Sequence, residues 1–390
     1  MELENKKLIY ILNHYSVNSS GHFYHVINLL ESIADMGIEI ALVIEKCDDI
    51  PHVNNPNISV IAQSNNQKWL RPFELSKIIF KLHKQGFSKI YIRISWAATV
   101  IAILTSFFTG QKTFYWLSGQ GGFEHYRSLR FGITRIKLFF TSRLPFYFIR
   151  KYVYRFVTGP ESMRDYFIKE GGVDSNKIII LYNDIDIKRF KKLNVEEKKG
   201  LKIKLGLSKD KKIIFFAHRF SPVRKTSYYL PFIFTNFFDK SNDNYIIIIA
   251  GGGPDEQEVK KEMKNVCDNN QYVFLGSVPN STIQQYYQVA DIFINPTYAE
   301  GFPRVLIEAM ASGLPIVSSD AGGIRDILGL EQSRYMIPKE NRIAFADKLV
   351  ELANSADERR LLSEENLKTV NRFSTEAVAE MYIREMFNKN

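Results

Sequence analysis

The sequence predicts an α/β protein of two domains, each built on a parallel, doubly wound sheet. Three observations carry this. The 390 residues are 45% apolar, enough for two sizeable cores on a prior of about 150 residues per domain. Short apolar runs alternate with helical patterns from the first strand onward. Between Asn183 and Ser208 that alternation lapses into a charged stretch, and afterwards it restarts.

Taken in order, Leu8 to Leu12 is a first strand, followed by the polar loop Asn13 to Gly21. A helix from about Phe23 to Met36 ends at Gly37, and Ile38 to Ile44 closes a βαβ unit. Lys89 to Ser95 and Thr113 to Leu117 are further strands, with Ala97 to Phe108 as the helix between them. Phe156 to Thr158 and Lys177 to Leu181 end this half. The second half repeats the scheme with strands at Lys212 to Ala217, Tyr245 to Ala250, Tyr272 to Leu275, Asp291 to Asn295 and Ile316 to Ser319. Helices are expected at Tyr228 to Phe238, Gln257 to Asn269, Ser281 to Val289, Pro303 to Ser312 and Arg342 to Ala353. The domains are therefore drawn as 1–183 and 209–373, joined by a linker at 184–208. Ligands of such sheets bind outside the carboxyl ends of the strands, so the loops there should share one crevice.

Several classes fall away. Cys47 and Cys267 form neither a disulfide framework nor a zinc spacing. MELENKKLIYIL has too short an apolar run for a signal-peptide core, which points to a cytoplasmic location. Ile94 to Gln111 is uncharged but interrupted by Ser, Thr and Gln, and reads as a strand end and a buried helix rather than a membrane span. The net charge of +10 sits mostly in residues 1–190, with 24 Lys and Arg against 16 Asp and Glu; the remainder has 28 against 26. Its densest part, residues 125–160, interleaves Arg127, Arg130, Arg135, Lys137, Arg143, Arg150, Lys151 and Arg155 with aromatic residues and holds no acid. That pattern suits an anionic membrane surface; a nucleic acid partner and a merely solvated basic face are the alternatives.

Four loops carry candidate chemistry. In AEGFPRVLIEAMASG, Glu300 precedes a helix and Glu308 lies inside it, with seven residues between them. The helix start at Gly301, Phe302, Pro303, Arg304 and Val305 offers backbone amides to an anion. HRFSPVRK places Arg219 at a strand end and Lys225 six residues on, a pair suited to a diphosphate. AGGGPD, with Gly252 central, permits close backbone approach but lacks the spacing of a P-loop or a dinucleotide fold. The first loop sets Gly21 and His22 before a helix; His22 has no partner set for a metal. Asp184-Ile185-Asp186 has the form of a metal-binding DxD but falls at the start of the linker, and no metal or other cofactor is expected.

Together these residues resemble the nucleotide-sugar glycosyltransferases of GT-B fold, specifically the large retaining family numbered four. The E-x7-E pair carries the resemblance, supported by HRFSPVRK, AGGGPD, LGSVPNSTIQQYYQVADIFINP, LYNDIDIKRF and the loop containing Gly21. It covers nearly the whole chain and is weak between Cys47 and Lys89. The resemblance implies two Rossmann-like domains facing across a cleft, with a last helix in 374–390 crossing back to the N-terminal domain.

By the same resemblance the C-terminal domain takes a nucleotide-diphosphate sugar, with a lean to uridine. Arg219 and Lys225 would hold the diphosphate, Glu300 the sugar hydroxyls, Glu308 the ribose, and Val278 the base. The family's basic pair is commonly one residue closer, so Arg224 is the alternative to Lys225. On the acceptor side stand Gly21, His22, Ser118 and Gly119; Ser118 occupies a position where the family often has histidine. The implied reaction is metal-independent transfer with retention, in which the leaving phosphate takes the acceptor proton. The implied acceptor is a glycan or lipid-linked oligosaccharide of bacterial surface polysaccharide synthesis. A nucleotide-sugar epimerase or phosphorylase of the same fold, a basic nucleic-acid-binding module and a silent scaffold are the competing readings.

Overall fold

The computed structural model describes residues 6–16, 24–65, 67, 69–119, 132–241 and 244–388. The chain divides into two compact units, residues 1–184 with 375–390, and residues 185–374.

The first unit is a seven-stranded parallel sheet in the order β3-β2-β1-β4-β5-β6-β7. Its strands are β1 Lys7–Leu12, β2 Glu39–Ile44, β3 Ile58–Ala62, β4 Lys89–Arg93, β5 Lys112–Trp116, β6 Arg155–Thr158 and β7 Ile178–Ile180. Its helices are α1 Tyr24–Asp35, α2 Arg71–Lys84, α3 Trp96–Thr109, α4 Ile133–Leu138, α5 Leu144–Tyr152 and α6 Glu161–Lys169, with a π-turn at Phe139–Arg143 between α4 and α5. Leu8 pairs with Ile40 on one side and Lys89 on the other, so β1 is central. Both its faces are covered, which explains the unbroken apolar run: Leu8, Tyr10 and Leu12 pack with α1, while Ile9 and Ile11 pack with α2 and α3.

The second unit repeats the plan with six parallel strands in the order β10-β9-β8-β11-β12-β13. These are β8 Lys212–Ala217, β9 Tyr245–Ala250, β10 Tyr272–Gly276, β11 Ile292–Asn295, β12 Ile316–Ser319 and β13 Met336–Ile337. The helices are α7 Val195–Lys204, α8 Thr226–Lys240, α9 Glu256–Val266, α10 Asn280–Val289, α11 Arg304–Ala311, α12 Ile324–Ile327, α13 Arg342–Asn354 and α14 Ala356–Thr369. Ile214, Phe216, Ile247, Ile249, Ile292 and Ile294 form the centre of its core with α8 and α13.

The last helix, α15 Thr375–Ile383, returns to the first unit, as the resemblance implied. Val378, Ala379 and Tyr382 join the core beneath α1. The Tyr382 and Tyr91 hydroxyls share a buried hydrogen bond of 2.8 Å, and Tyr91 stacks on Tyr10.

Several elements differ from the sequence reading. Between Cys47 and Lys89, where the pattern names no element, lie β3 and α2. The stretch 184–208 carries α7, whose start is closed by a reciprocal capping box between Asn194 and Glu197. Helix α3 is not a buried helix throughout: Ser95 caps it and Gly110 ends it, but Leu104, Phe107 and Phe108 face outward, Phe108 with 83% exposure. Among the described residues no helix is long and apolar enough to cross a membrane.

Candidate functional site

In the second unit the strands β8, β9, β11 and β12 end at one rim, and the four loops that follow them are braced on one another by backbone. The loop after β8 and the glycine loop after β9 hold each other: His218 N donates to Ala250 O at 3.1 Å, and Phe220 N to Gly252 O at 3.1 Å. Gly251 and Gly253 have φ of 150° and 146°, and a Cβ on them would stand 1.9 Å from His218 O and 2.2 Å from Phe220 O. These two glycines are therefore required by neighbouring backbone. Gly252 between them faces Ser277 Oγ.

The loop after β11 is fixed as closely. Thr297 N donates to Ser319 Oγ at 3.1 Å, Tyr298 N to Arg224 O at 3.2 Å, and Gly323 N to Gly301 O at 3.2 Å. Gly322, at φ 57°, leaves room for 1.8 Å between its missing Cβ and Glu300 O. Pro303 is the N-cap of α11 and supplies no capping hydrogen bond, so the helix proper opens at Arg304, one residue later than expected. Gly301 and Phe302 are buried beneath this turn, and Phe302 packs edge-on against Phe373.

Glu300 is the centre of the cluster and is 8% exposed. Its Oε1 accepts from Arg224 Nε at 2.9 Å. His218 Nε2 lies 2.6 Å from the same oxygen, although the angle falls short of a hydrogen bond. The Arg219 amide donates to His218 Nδ1 at 2.8 Å, which leaves the ring proton on Nε2, toward the carboxylate. Burial alone would raise the Glu300 pKa, but His218 and Arg224 outweigh it and bring it down to about 2. An ionised carboxylate is thus held in a dry site at any ordinary pH.

The other expected residues fall around this centre. Arg219 is exposed at the rim and meets no carboxylate among the described residues. Lys225, in a left-handed conformation at φ 55°, turns to Glu340 at 2.5 Å and lies over the Tyr298 ring at 3.8 Å. Glu308 lies one turn inside α11, 3.9 Å from Arg304. Val305 is half-buried on the same helix, and Val278 is half-buried in the loop between β10 and α10. In the first unit Ser118 Oγ donates to Gly159 O at 2.9 Å, and Gly119 has φ 115°. Gly21 and His22 lie outside the described residues.

The DxD acids are engaged elsewhere. Asp184 accepts from the Thr375 hydroxyl at 2.9 Å, and Asp186 accepts from the amides of Lys188 and Arg189. Among the described residues no group of three or more His, Cys, Asp or Glu is placed to hold a metal. Sequence reasoning missed His218 as a partner of Glu300; its place at the end of β8, beside Arg219, was the available signal. It also missed Glu340 and Tyr298, which come together only in the fold.

Residues 197–369 match the family model described as "Glycosyl transferases group 1". The D-inositol 3-phosphate glycosyltransferase of Corynebacterium glutamicum (strain R) is 23% identical over 228 residues, 57% of this chain and 54% of that protein. The capsular polysaccharide biosynthesis glycosyltransferase CapM of Staphylococcus aureus is 28% identical over 135 residues, 33% of this chain and 35% of that protein. The chain spans about half the length of the curated relatives it matches. Anabaena HepE, solved in complex with UDP and glucose, superposes with a TM-score of 0.74 at 16% identity, over 99% of this chain and 100% of that one. At that identity the likeness is one of fold, the GT-B type with two Rossmann-like sheets. The match to the group 1 glycosyltransferase family model thus lies within the second unit of this chain.

Proposed function

We propose that this protein transfers a sugar, with retention at the anomeric carbon, from a nucleotide-diphosphate sugar to a glycan acceptor of a bacterial surface polysaccharide. The observation that carries this reading is the buried, ionised Glu300 with Arg224 and His218, beside the exposed Arg219 at the strand-end rim. Arg219 and Arg224 supply two cations for the diphosphate, and Lys225 adds a third farther out, on Glu340. The amides at the start of α11 add donors for the same group, and Glu308 takes the ribose.

In the reaction the bond from the anomeric carbon to the diphosphate oxygen breaks, and the acceptor hydroxyl oxygen bonds to that carbon on the same face. The acceptor proton passes to the leaving phosphate. Charge building on the phosphate is offset by the arginines, an electrostatic contribution that is usually the largest in such transfers. Glu300, with a pKa of about 2, is poorly matched to accept a proton near neutral pH. Its role is to grip donor hydroxyls and fix the sugar's orientation.

Nucleotide sugars are therefore expected to raise the thermal midpoint, since a ligand at 100 times its Kd adds about 2.7 kcal/mol. A screen in which none does so, and none yields a glycosylated product with lipid-linked glycans, would overturn the reading. A uridine donor is expected to be the stabilising one; HepE is solved with UDP-glucose.

The acceptor's lipid is suggested by the first unit's surface. Phe107 and Phe108 on α3 are exposed, and so are Ile133 and Phe140 in the segment of α4 and the π-turn that carries Arg135, Lys137 and Arg143. Phe107 touches Tyr152 of α5 edge-on at 5.7 Å. Rings at headgroup level with cations on lipid phosphates would seat this face on an anionic membrane, at the cytoplasmic side where nucleotide sugars are found. Flotation with phosphatidylglycerol vesicles at low salt should carry the protein, and the double substitution F107S/F108S should release it. Equal flotation of both would refute this placement.

A further inference from the structure

The second unit has a basic pocket at the opposite end of its sheet from Glu300, where β8, β11 and β12 begin. It encloses about 440 Å³, the size of a small-molecule site. Four lysines and two arginines are joined in its lining by a fifth lysine, Lys202, against one carboxylate, Asp291. Asp291 is already satisfied. Its Oδ1 takes Lys198 Nζ at 2.7 Å, and its Oδ2 accepts the Ile213 amide at 2.7 Å and lies 3.9 Å from Lys202.

The remaining cations spend their hydrogen bonds on neutral or exposed groups. Lys192 donates to the Ser363 hydroxyl at 2.9 Å, and Arg359 to the carbonyls of Leu352 and Ala353. Lys199 and Arg360 reach Glu196 and Asp357 only in solvent-exposed pairs, which contribute little and exchange readily. Lys202 is buried, and its pKa is depressed first by burial and further by Lys198, with Asp291 opposing. Like charges gathered around a cavity raise its affinity for anions. Gly313, at φ 67°, lets the Lys192 stem cross its backbone; a Cβ there would stand 2.8 Å from Lys192 Cδ. Leu193, Leu314 and Pro315 give the pocket an apolar wall.

We propose that this pocket binds a small phosphorylated molecule carrying at least two phosphate charges, at a site separate from the one around Glu300. The excess of cations calls for more than one charge, and the apolar wall leaves room for a compact organic body. The proposal does not rest on the transferase reading.

Isothermal titration of the full chain with inorganic pyrophosphate at low ionic strength tests it. The wild type and the double variant R219A/R224A, which silences the other rim, should both bind. Placed in that R219A/R224A background, K192Q/K209Q should bind at least about tenfold more weakly, the scale of losing a charge-assisted contact. K192R/K209R, which keeps the charge, should bind like the wild type and shows that loss in the Gln pair is not misfolding. Loss of all binding in R219A/R224A, or unchanged binding in K192Q/K209Q, would overturn the site. So would an equal loss in K261Q/K264Q, a pair on α9 that does not line the pocket.

Discussion

Replacing Glu300 by Gln keeps the side chain's length and one acceptor oxygen but removes the charge that Arg224 and His218 surround. The carboxylate titrates at about 2 in the folded chain against 4.5 for a free one. At 1.36 kcal/mol per unit, the ionised form is favoured by roughly 3 kcal/mol. Part of that is recovered in the variant because Arg224 is partly exposed and can turn to solvent, so E300Q should be less stable by about 1–3 kcal/mol at pH 7. The sign with pH follows from the depressed value. The stabilisation is complete above about 4.5 and is lost as pH falls through about 2. Urea unfolding of both proteins from pH 7 to pH 2.5 would read the difference directly, and the gap should narrow over the lower part of that range. Equal midpoints at pH 7, or a gap that stays constant to pH 2.5, would refute the account of Glu300. In the transferase assay the same variant should lose roughly 100-fold in turnover, the cost of one preorganised charge contact.

R224A and K225A separate the two candidates for the inner cation. Arg224 contacts Glu300 while Lys225 sits on Glu340, so R224A should weaken nucleotide-sugar binding by about 10- to 100-fold in calorimetry and K225A by less; the reverse order would assign the diphosphate to Lys225. G322A should destabilise the second unit by more than about 2 kcal/mol in urea unfolding, because the added Cβ meets Glu300 O and the residue must hold a positive φ. A midpoint within error of the wild type would contradict that close packing.

Most strands of both sheets were legible because they are buried on both faces; the edge strands β3 and β13 were not. Ile213 to Phe216 and Ile246 to Ile249 read as continuous apolar runs whose ends are set by polar loops, and β8, β9 and β12 fall on their expected bounds. Helices α7 and α14 were not legible, for a different physical reason. Of α7 only Lys202 is buried, and α14 buries Ser363 and Asn366 beside Leu362. The Asn366 amide nitrogen donates to the Leu314 carbonyl and to Gln332 Oε1, so a polar residue occupies a core position and erases the apolar period. At the site, the spacing of Glu300 and Glu308 and the cations after β8 were visible as local patterns. The pairing of Lys225 with Glu340 was not, since the partners are 115 positions apart and no local rule connects them. His218 offered only its place at a strand end beside Arg219, a signal that gains meaning once the carboxylate it faces is known.

The close backbone packing of the rim loops bears on how this protein could acquire a different substrate. Gly251 and Gly253 rest on the loop after β8, and Gly322 rests on the loop after β11, whose Tyr298 amide in turn binds Arg224 O. An insertion or deletion in any one of these loops would withdraw the support of another. Evolution or engineering of new specificity in this unit is thereby channelled into side-chain replacement at fixed loop length, or into exchange of all four loops as a set.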